Sequence, residues 1–365
     1  MVPPDCTLVT SCFNLTNIHT CSRSVEECVN NMTTLLEIPC YLVIFTDQIC
    51  YEKIKRIRDG FNLQSLTRYT VSDISEIESY KLNDLVKKNR EIYNPTKDER
   101  TCSESHLLCC NKFNFVLQTM SLNPFNTTKF GWIDSNLKPN CEKICEGYEK
   151  NMLLKILNDT RSDKFHLQIL NVCDKKYKES NHKREMYQQY RWIVCGCLFI
   201  TGIEVGQKIL NRLNDNFIET TKMGYGHGEE MFYLEILDEF YDDIERSYGD
   251  YHNILNNFMK PTKGLVYIHN NCVRRYLGFG YHREGYDCCK KLIDQIETYN
   301  VYLDCCTYVD LLFSFYIFTF YHKGKEAAKN VVAHIKNVVL KNPLVQNEYD
   351  KKKEFFESQF NFVNF

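Results

Sequence analysis

Three short segments carry side chains whose types and spacing suit chemistry. In Pro124 to Asn136, PFNTTKFGWIDSN, a basic and aromatic run climbs into an apolar strand that stops at Asp134-Ser135-Asn136. Side chains alternate faces along a strand, so Asp134 and Asn136 point the same way and offer a carboxylate and a carboxamide oxygen together. Hard divalent cations such as Mn²⁺ or Mg²⁺ choose such oxygen pairs when they bridge phosphates. The triplet is equally ordinary turn chemistry, because Asp, Ser and Asn hydrogen-bond their own backbone. In Gly224 to Glu230, GYGHGEE, glycines 226 and 228 would let the chain pass close to a ligand while His227, Glu229 and Glu230 enter the site. The other reading is an acidic helix start, which the helix dipole favours by itself. His269 closes the apolar run LVYIH, taken as a strand, and an imidazole there is either a metal ligand or structural.

These side chains need elements to bring them together. From Thr7 to about Leu170, apolar strands alternate with amphipathic helical stretches, the pattern of an α/β domain with a largely parallel sheet. Strands are expected at 7–13, 41–46, 66–71, 130–134, 165–172, 192–200 and 265–269. Helices are expected at 24–38, 48–58, 73–93, 107–120 (carrying Lys112), 141–158 and 205–214, with 173–188 as a mobile charged loop. The strand YLVIFT, with no polar alternation before Asp47, reads as covered on both faces. Open α/β sheets bind ligands at the carboxyl ends of their strands, where Asp134, Asn136, Glu229, Glu230 and His269 could converge. From about 281 the texture becomes helix after helix, at 283–298, 303–322 and 324–341. The expected division is therefore 1–280 for the α/β domain and 281–365 for an all-helical extension, a lid, scaffold or homo-oligomer surface.

Composition narrows the classes. The 365 residues are 44% apolar and 25% charged with a net charge of −2, so no global basic field exists for nucleic acid. Nineteen cysteines are odd in number and lack a small-domain spacing, so most are read as buried free thiols. Carbohydrate sites use aromatic faces, and Tyr and Phe number 24 and 23, although with only two Trp the rings also read as core. The N-terminus has no basic region ahead of its short apolar stretch, so no signal peptide is expected, and the location is expected to be cytoplasmic. The longest apolar run, Leu311 to Tyr321, is far short of a membrane span. Without a signal, the N-x-T sequons at Asn14, Asn31, Asn126 and Asn158 read as coincidence.

Taken together, TLVTSCFNL, IPCYLVIFTD, NPFNTTKFGWIDSN, WIVCGCLFITG and GHGEEMFYLEIL resemble the bacterial HtrL/YibB (WlaTC) family, thought to be glycosyltransferases, over about residues 7 to 280. The resemblance implies a GT-A fold, in which a Rossmann-like sheet holds a nucleotide-sugar donor, UDP-sugar favoured, and a DxD motif binds a metal on the diphosphate. Asp134-Ser135-Asn136 stands where DxD would be, with Asn136 in place of the second Asp. By the same resemblance, Thr10, Phe13 and Asp47 would line the nucleoside pocket, and Arg68 and Lys112 would reach nucleotide or phosphate oxygens. Tyr267-Ile268-His269 with Arg275 resembles an HFxGxxK-type element, making His269 a third metal ligand and Arg275 a phosphate-binding cation, with Lys263 nearby. Gly228-Glu229-Glu230 is similar to the xED motif of inverting enzymes, with Glu230 as base and Glu229 positioning a glycan or other hydroxyl acceptor. The CGCLFITG strand, 195–202, would form the acceptor wall.

Two other classes stay open. A metal-dependent nucleotidyltransferase would use the same acidic site, but SCFNLTN has no glycine-rich phosphate loop after strand one. A degenerate, non-catalytic relative acting as a binding module is compatible with Asn136. No GxSxG elbow occurs, which disfavours serine hydrolases.

Overall fold

The computed structural model describes residues 3–94, 98–136, 149, 151–225, 228–259, 264–299, 303–339 and 341–360. The chain divides into two units: Met1–Ile169, Cys173–Ser247 and Tyr251–Met259 in the first, and Leu170–Val172, Tyr248–Asp250 and Lys260–Phe365 in the second.

The fold is α/β, with a seven-stranded, mostly parallel sheet flanked by helices and a helical C-terminal part. Its strands are β1 (Cys6–Cys12), β2 (Tyr41–Thr46), β3 (Thr67–Val71), β4 (Lys129–Ile133), β5 (Phe165–Ile169), β6 (Val194–Gly202) and β7 (Ile244–Tyr248). They are ordered β3-β2-β1-β4-β6-β5-β7. β1 pairs in parallel with β2 and β4, and β2 with β3, whereas β6 runs antiparallel to both β4 and β5. Thus β1 to β5 all point one way and β6 alone among them is reversed. β4 and β6 are buried along their whole length, as near-continuous apolar runs demand.

Local chemistry sets the helix starts. Ser24 caps Val25–Leu36 by accepting from the Glu27 amide at 3.2 Å, and Asp47 caps Gln48–Gly60 by accepting from the Cys50 amide at 2.8 Å. Ser103–Leu122 is buried on most sides, with Phe115 stacked on Phe45 of β2 at 4.2 Å and on Trp132 of β4 at 6.3 Å. This seats the helix on the sheet and sets the height of Lys112, three residues earlier. Arg58 is a buried cation in the core of the first unit. Its guanidinium donates to the carbonyls of Leu36, Ile38 and Cys40 at 3.1, 2.8 and 3.1 Å and to Thr67 Oγ1 at 2.8 Å, closing the end of Val25–Leu36.

Several sequence expectations are corrected. LVYIH is helical: Leu265–Ile268 continues through a π-turn at His269–Val273 into Arg274–Phe279. Leu265, Ile268, His269, Cys272, Val273 and Tyr276 are its buried residues, and their spacing of three and four is that of a helix. The single helix expected at 73–93 is two 3₁₀ turns followed by Asn83–Ile92. The loop expected at 173–188 folds as turns at Lys175–Lys178 and Ser180–His182 and a short helix Lys183–Tyr187, tied by Tyr177 Oη donating to Glu185 at 2.9 Å. β7 carries no apolar signature because buried Arg246 interrupts it, its guanidinium donating to the carbonyls of Tyr241, Ile244 and Leu237. In the second unit, His282–Tyr299, Cys305–Lys323, Lys325–Val339 and Pro343–Phe360 are helices, with Phe313 stacked on Tyr349 at 5.5 Å. Among the described residues the cysteines are free thiols, and no helix is long and apolar enough to cross a membrane.

Replacing Arg58 with Lys keeps the charge but cannot reproduce a planar fork serving four acceptors. Equilibrium urea unfolding of Arg58→Lys is expected to show a loss of roughly 2–4 kcal/mol, since charged hydrogen bonds contribute about 1.5–3 kcal/mol each and not all are lost. An unchanged midpoint would refute this role.

Candidate functional site

The sheet order places the site. The chain steps outward from β1 to β2 and β3, then returns to the other side of β1 to form β4, so the β1/β4 boundary is a topological switch point. Ligands of open α/β sheets bind in the crevice at the carboxyl ends of strands there. Asp134 follows the last residue of β4 at this edge. Because β6 is reversed, its amino end lies beside it, and the Asp134 amide donates to the Cys197 carbonyl at 2.8 Å.

Lys112 draws this edge together. Its side chain is 0% exposed, and its Nζ donates to the Gly196 carbonyl at 3.0 Å and to Glu229 Oε1, and lies 3.6 Å from Asp134 Oδ1. The ammonium is 5.5 Å from the centroid of the Trp132 ring. Burial alone would drive this ammonium down, but the Asp134 and Glu229 carboxylates outweigh it and hold it well above the ordinary lysine value. Trp132 Nε1 donates to the same Asp134 oxygen at 2.5 Å. Glycine at position 196 leaves the pair its room, since a Cβ there would stand 2.9 Å from Glu229 Oε1 and 3.3 Å from Lys112 Nζ and make them shift.

Glu230, next along the 3₁₀ turn Glu229–Phe232, sits in a different environment. Its Oε2 accepts from the Tyr190 hydroxyl, which approaches so closely that a Cβ on Gly228 would lie 1.8 Å from that oxygen. Burial, and then the Glu229 charge, push the Glu230 carboxyl up to about 8, against the pull of Lys112. Burial and the Glu230 charge likewise raise the Tyr190 phenol. At neutral pH the cluster therefore holds the Lys112 ammonium and, in Glu230, a carboxyl that keeps its proton and can exchange it. Asp134, with 34% of its side chain exposed, is the carboxylate open to a ligand.

A divalent cation can be tested against these donors. The Asn136 Oδ1 is buried and has no hydrogen-bond partner, which is the condition of an oxygen waiting for a cation. Among the described residues no three His, Cys, Asp or Glu side chains cluster as a metal set. Asp134 and Asn136 thus fit a hard cation that takes one or two protein oxygens and fills its remaining positions from water and phosphate.

The other expected residues are distributed as follows. Thr10 is buried within β1 with its hydroxyl unpartnered, and Phe13 is buried just beyond that strand's end. Asp47 is spent on its helix cap and on the Asn14 amide. Arg68 is on edge strand β3, two strands away from β4, and its guanidinium lies over the Phe125 ring at 5.1 Å, turned toward the residues ahead of β4 and away from Asp134. Lys112, expected to reach phosphate, is enclosed by protein acceptors. The acceptor wall expected from 195–202 is buried in the sheet, and only its amino end meets the site. His269 and Arg275 belong to the second unit. The His269 ring is buried and held below its ordinary value by that burial, and Arg275 donates to the Val172 carbonyl at 3.2 Å. Lys263, His227, Gly226, Cys141 and Cys145 lie outside the described residues. Tyr190 and the structural role of Gly196 escaped the sequence reading. The only available sign was YRW, two aromatics at alternate positions just ahead of an apolar strand.

Two measurements test this arrangement. Lys112→Met leaves the Glu229 carboxylate buried without its cation and is expected to cost about 3–5 kcal/mol, with Lys112→Met/Glu229→Met recovering most of it. A carboxyl whose value rises on folding stabilises the fold fully below its unfolded value, near 4.5, and loses that contribution as pH climbs through about 8. Unfolding free energies of wild type and Glu230→Gln, compared across that range, should therefore diverge with wild type losing ground as pH rises. His269, lowered on folding, titrates with the opposite sign in both proteins and cancels in the difference. Parallel profiles would refute the assignment.

No curated protein matches the chain. Among solved structures, apo mouse xyloside xylosyltransferase 1 is similar with a TM-score of 0.35 and 9% identity, covering 66% of this chain and 84% of that one, a likeness too slight to transfer a residue or an activity. Residues 4–146 match the HtrL_YibB family model, described as a bacterial protein of unknown function. That stretch holds β1 to β4, Lys112, Asp134 and Asn136, and over it the chain is similar to the HtrL_YibB family.

Proposed function

We propose that the protein is a glycosyltransferase that moves a sugar from a nucleotide-sugar, a UDP-sugar by preference, to a hydroxyl of a glycan or similar acceptor. One observation carries the reading: an accessible carboxylate, Asp134, and a proton-holding carboxyl, Glu230, sit around one buried ammonium at the switch point of the sheet. The resemblance of WIDSN to DxD and of GHGEE to xED assigns the two their roles. Transfer to a hydroxyl needs both: a place for the diphosphate and a base for the proton the acceptor sheds.

In this mechanism the acceptor oxygen forms a bond to the anomeric carbon as the bond to the diphosphate oxygen breaks. The acceptor proton passes to Glu230, which must first be ionised. A carboxyl near 8 is only partly ionised at neutral pH, yet a base whose value lies close to the working pH also has the strongest pull on the proton. Tyr190, donating to Oε2, fixes the direction of the carboxylate. Lys112 touches neither substrate: it neutralises Glu229 and fixes Asp134. A divalent cation held by Asp134 and Asn136 would supply electrostatic stabilisation for the charge that develops on the leaving diphosphate.

Thermal melting with UDP- and GDP-sugars, with and without Mn²⁺, tests the donor half. Ligand at about 100 times its Kd adds about 2.7 kcal/mol to stability, so a rise of several degrees is expected with a UDP-sugar and Mn²⁺ together, and Asp134→Ala should abolish it. If no nucleotide-sugar raises the melting temperature in either condition, the transferase reading fails. For the base, Glu230→Gln should reduce turnover by on the order of 10²–10⁴ while the donor still binds. Wild-type turnover should climb with pH toward a plateau above about 8, tracking ionisation of the same carboxyl.

A further inference from the structure

Trp192 has no role in the cluster, yet 57% of it is exposed, while the chain's other tryptophan, Trp132, is buried at 3%. It stands on the short segment just before β6, whose side chains turn to two sides. Arg191 turns one way, its guanidinium 4.6 Å over the Tyr177 ring and donating to the Met186 carbonyl at 3.3 Å. Tyr190 and Trp192 turn together, ring centroids 4.8 Å apart and planes tilted by 49°. The Tyr190 hydroxyl is the donor to Glu230. An open indole therefore lies one ring away from the carboxyl that holds a proton, braced by the same tyrosine that orients it.

We infer that Trp192 is the stacking platform for a pyranose ring of the acceptor, positioned so that a hydroxyl of that ring reaches Glu230. This rests on the reading of Glu230 as the base. The chemistry of the ligand follows from the surface. A pyranose with equatorial hydroxyls turns a face of C–H groups outward, and those weakly positive hydrogens suit the negative face of an indole, the strongest π-face among the side chains. The rim hydroxyls then meet a carboxyl at one end. An acyclic polyol has the hydroxyls but no flat apolar face, and the platform discriminates against it. Exposed Trp192 also makes little packing contribution to the fold, so its removal affects recognition more than stability.

Because the chain has only two tryptophans and one is buried, acrylamide quenching of intrinsic fluorescence reports on Trp192. Cellobiose, lactose and N,N′-diacetylchitobiose, each at millimolar concentration, serve as probes, with mannitol as the acyclic control. At least one disaccharide is expected to shield most of the quenchable emission, mannitol none, and Trp192→Phe should leave only emission that no sugar alters. In transfer assays Trp192→Ala should raise the acceptor KM about tenfold, with an unchanged melting temperature and donor KM, and Trp192→Phe should restore most of it. Shielding by none of the three disaccharides, or equal shielding by mannitol, overturns the inference. Nucleotide-sugar stabilisation without saccharide shielding removes the platform and spares the transferase reading. Saccharide shielding without any nucleotide effect keeps the platform and removes the transfer reaction.

Discussion

A single buried ammonium organises this protein's candidate site. Moving a charge from water into the interior is prohibitive unless it is paired and hydrogen-bonded, so Lys112 can exist at 0% exposure only with Glu229, the Gly196 carbonyl and Asp134 around it. These partners come from a 3₁₀ turn, the start of β6 and the end of β4. The electrostatic requirement of one side chain thus holds three distant elements at one edge of the sheet. The Phe115 stack sets where the lysine stands, and Gly196 leaves the room in which it is satisfied.

The same charge divides labour between neighbours. Glu229 and Glu230 are adjacent and chemically identical, yet one is bound to a cation and the other is turned to a phenol and kept protonated toward pH 8. A carboxyl raised toward the working pH by its surroundings is a recurring arrangement for acid–base work. Reversal of β6 makes it possible. Were β6 parallel to β4, its Gly196 end would lie at the opposite edge, and Lys112 would have lost a hydrogen-bond acceptor.

Much of the architecture was legible in the chain. YLVIFT, with no polar alternation, read as a strand covered on both faces, the apolar run ahead of Asp134 read as a strand, and the helical C-terminal texture is as expected. Failures have specific causes. LVYIH is too short an apolar run to separate strand from helix, and its helical spacing emerges only when Cys272, Val273 and Tyr276 are counted with it. β7 was hidden by Arg246, whose burial depends on carbonyls supplied by the preceding helix, Tyr233–Glu239, and the turn after it. Arg68 looked like a phosphate ligand because a strand's sequence does not say which way its side chains reach; the register sets Arg68 level with Trp132, but two strands lie between β3 and β4 and the guanidinium turns over the Phe125 ring ahead of β4.

At the site, residue chemistry alone determined that Asp134 follows a buried strand and that a glycine-flanked Glu229-Glu230 pair could stand near a ligand, because these are properties of local spacing. Which glutamate keeps its proton, why Lys112 cannot reach a phosphate, and that Tyr190 and Trp192 stand beside the acid were decided only by the tertiary structure. Those outcomes depend on long-range electrostatics: burial removes the solvent that would otherwise screen Lys112, Asp134, Glu229 and Glu230 from one another, and residues more than a hundred positions apart then set each other's charge.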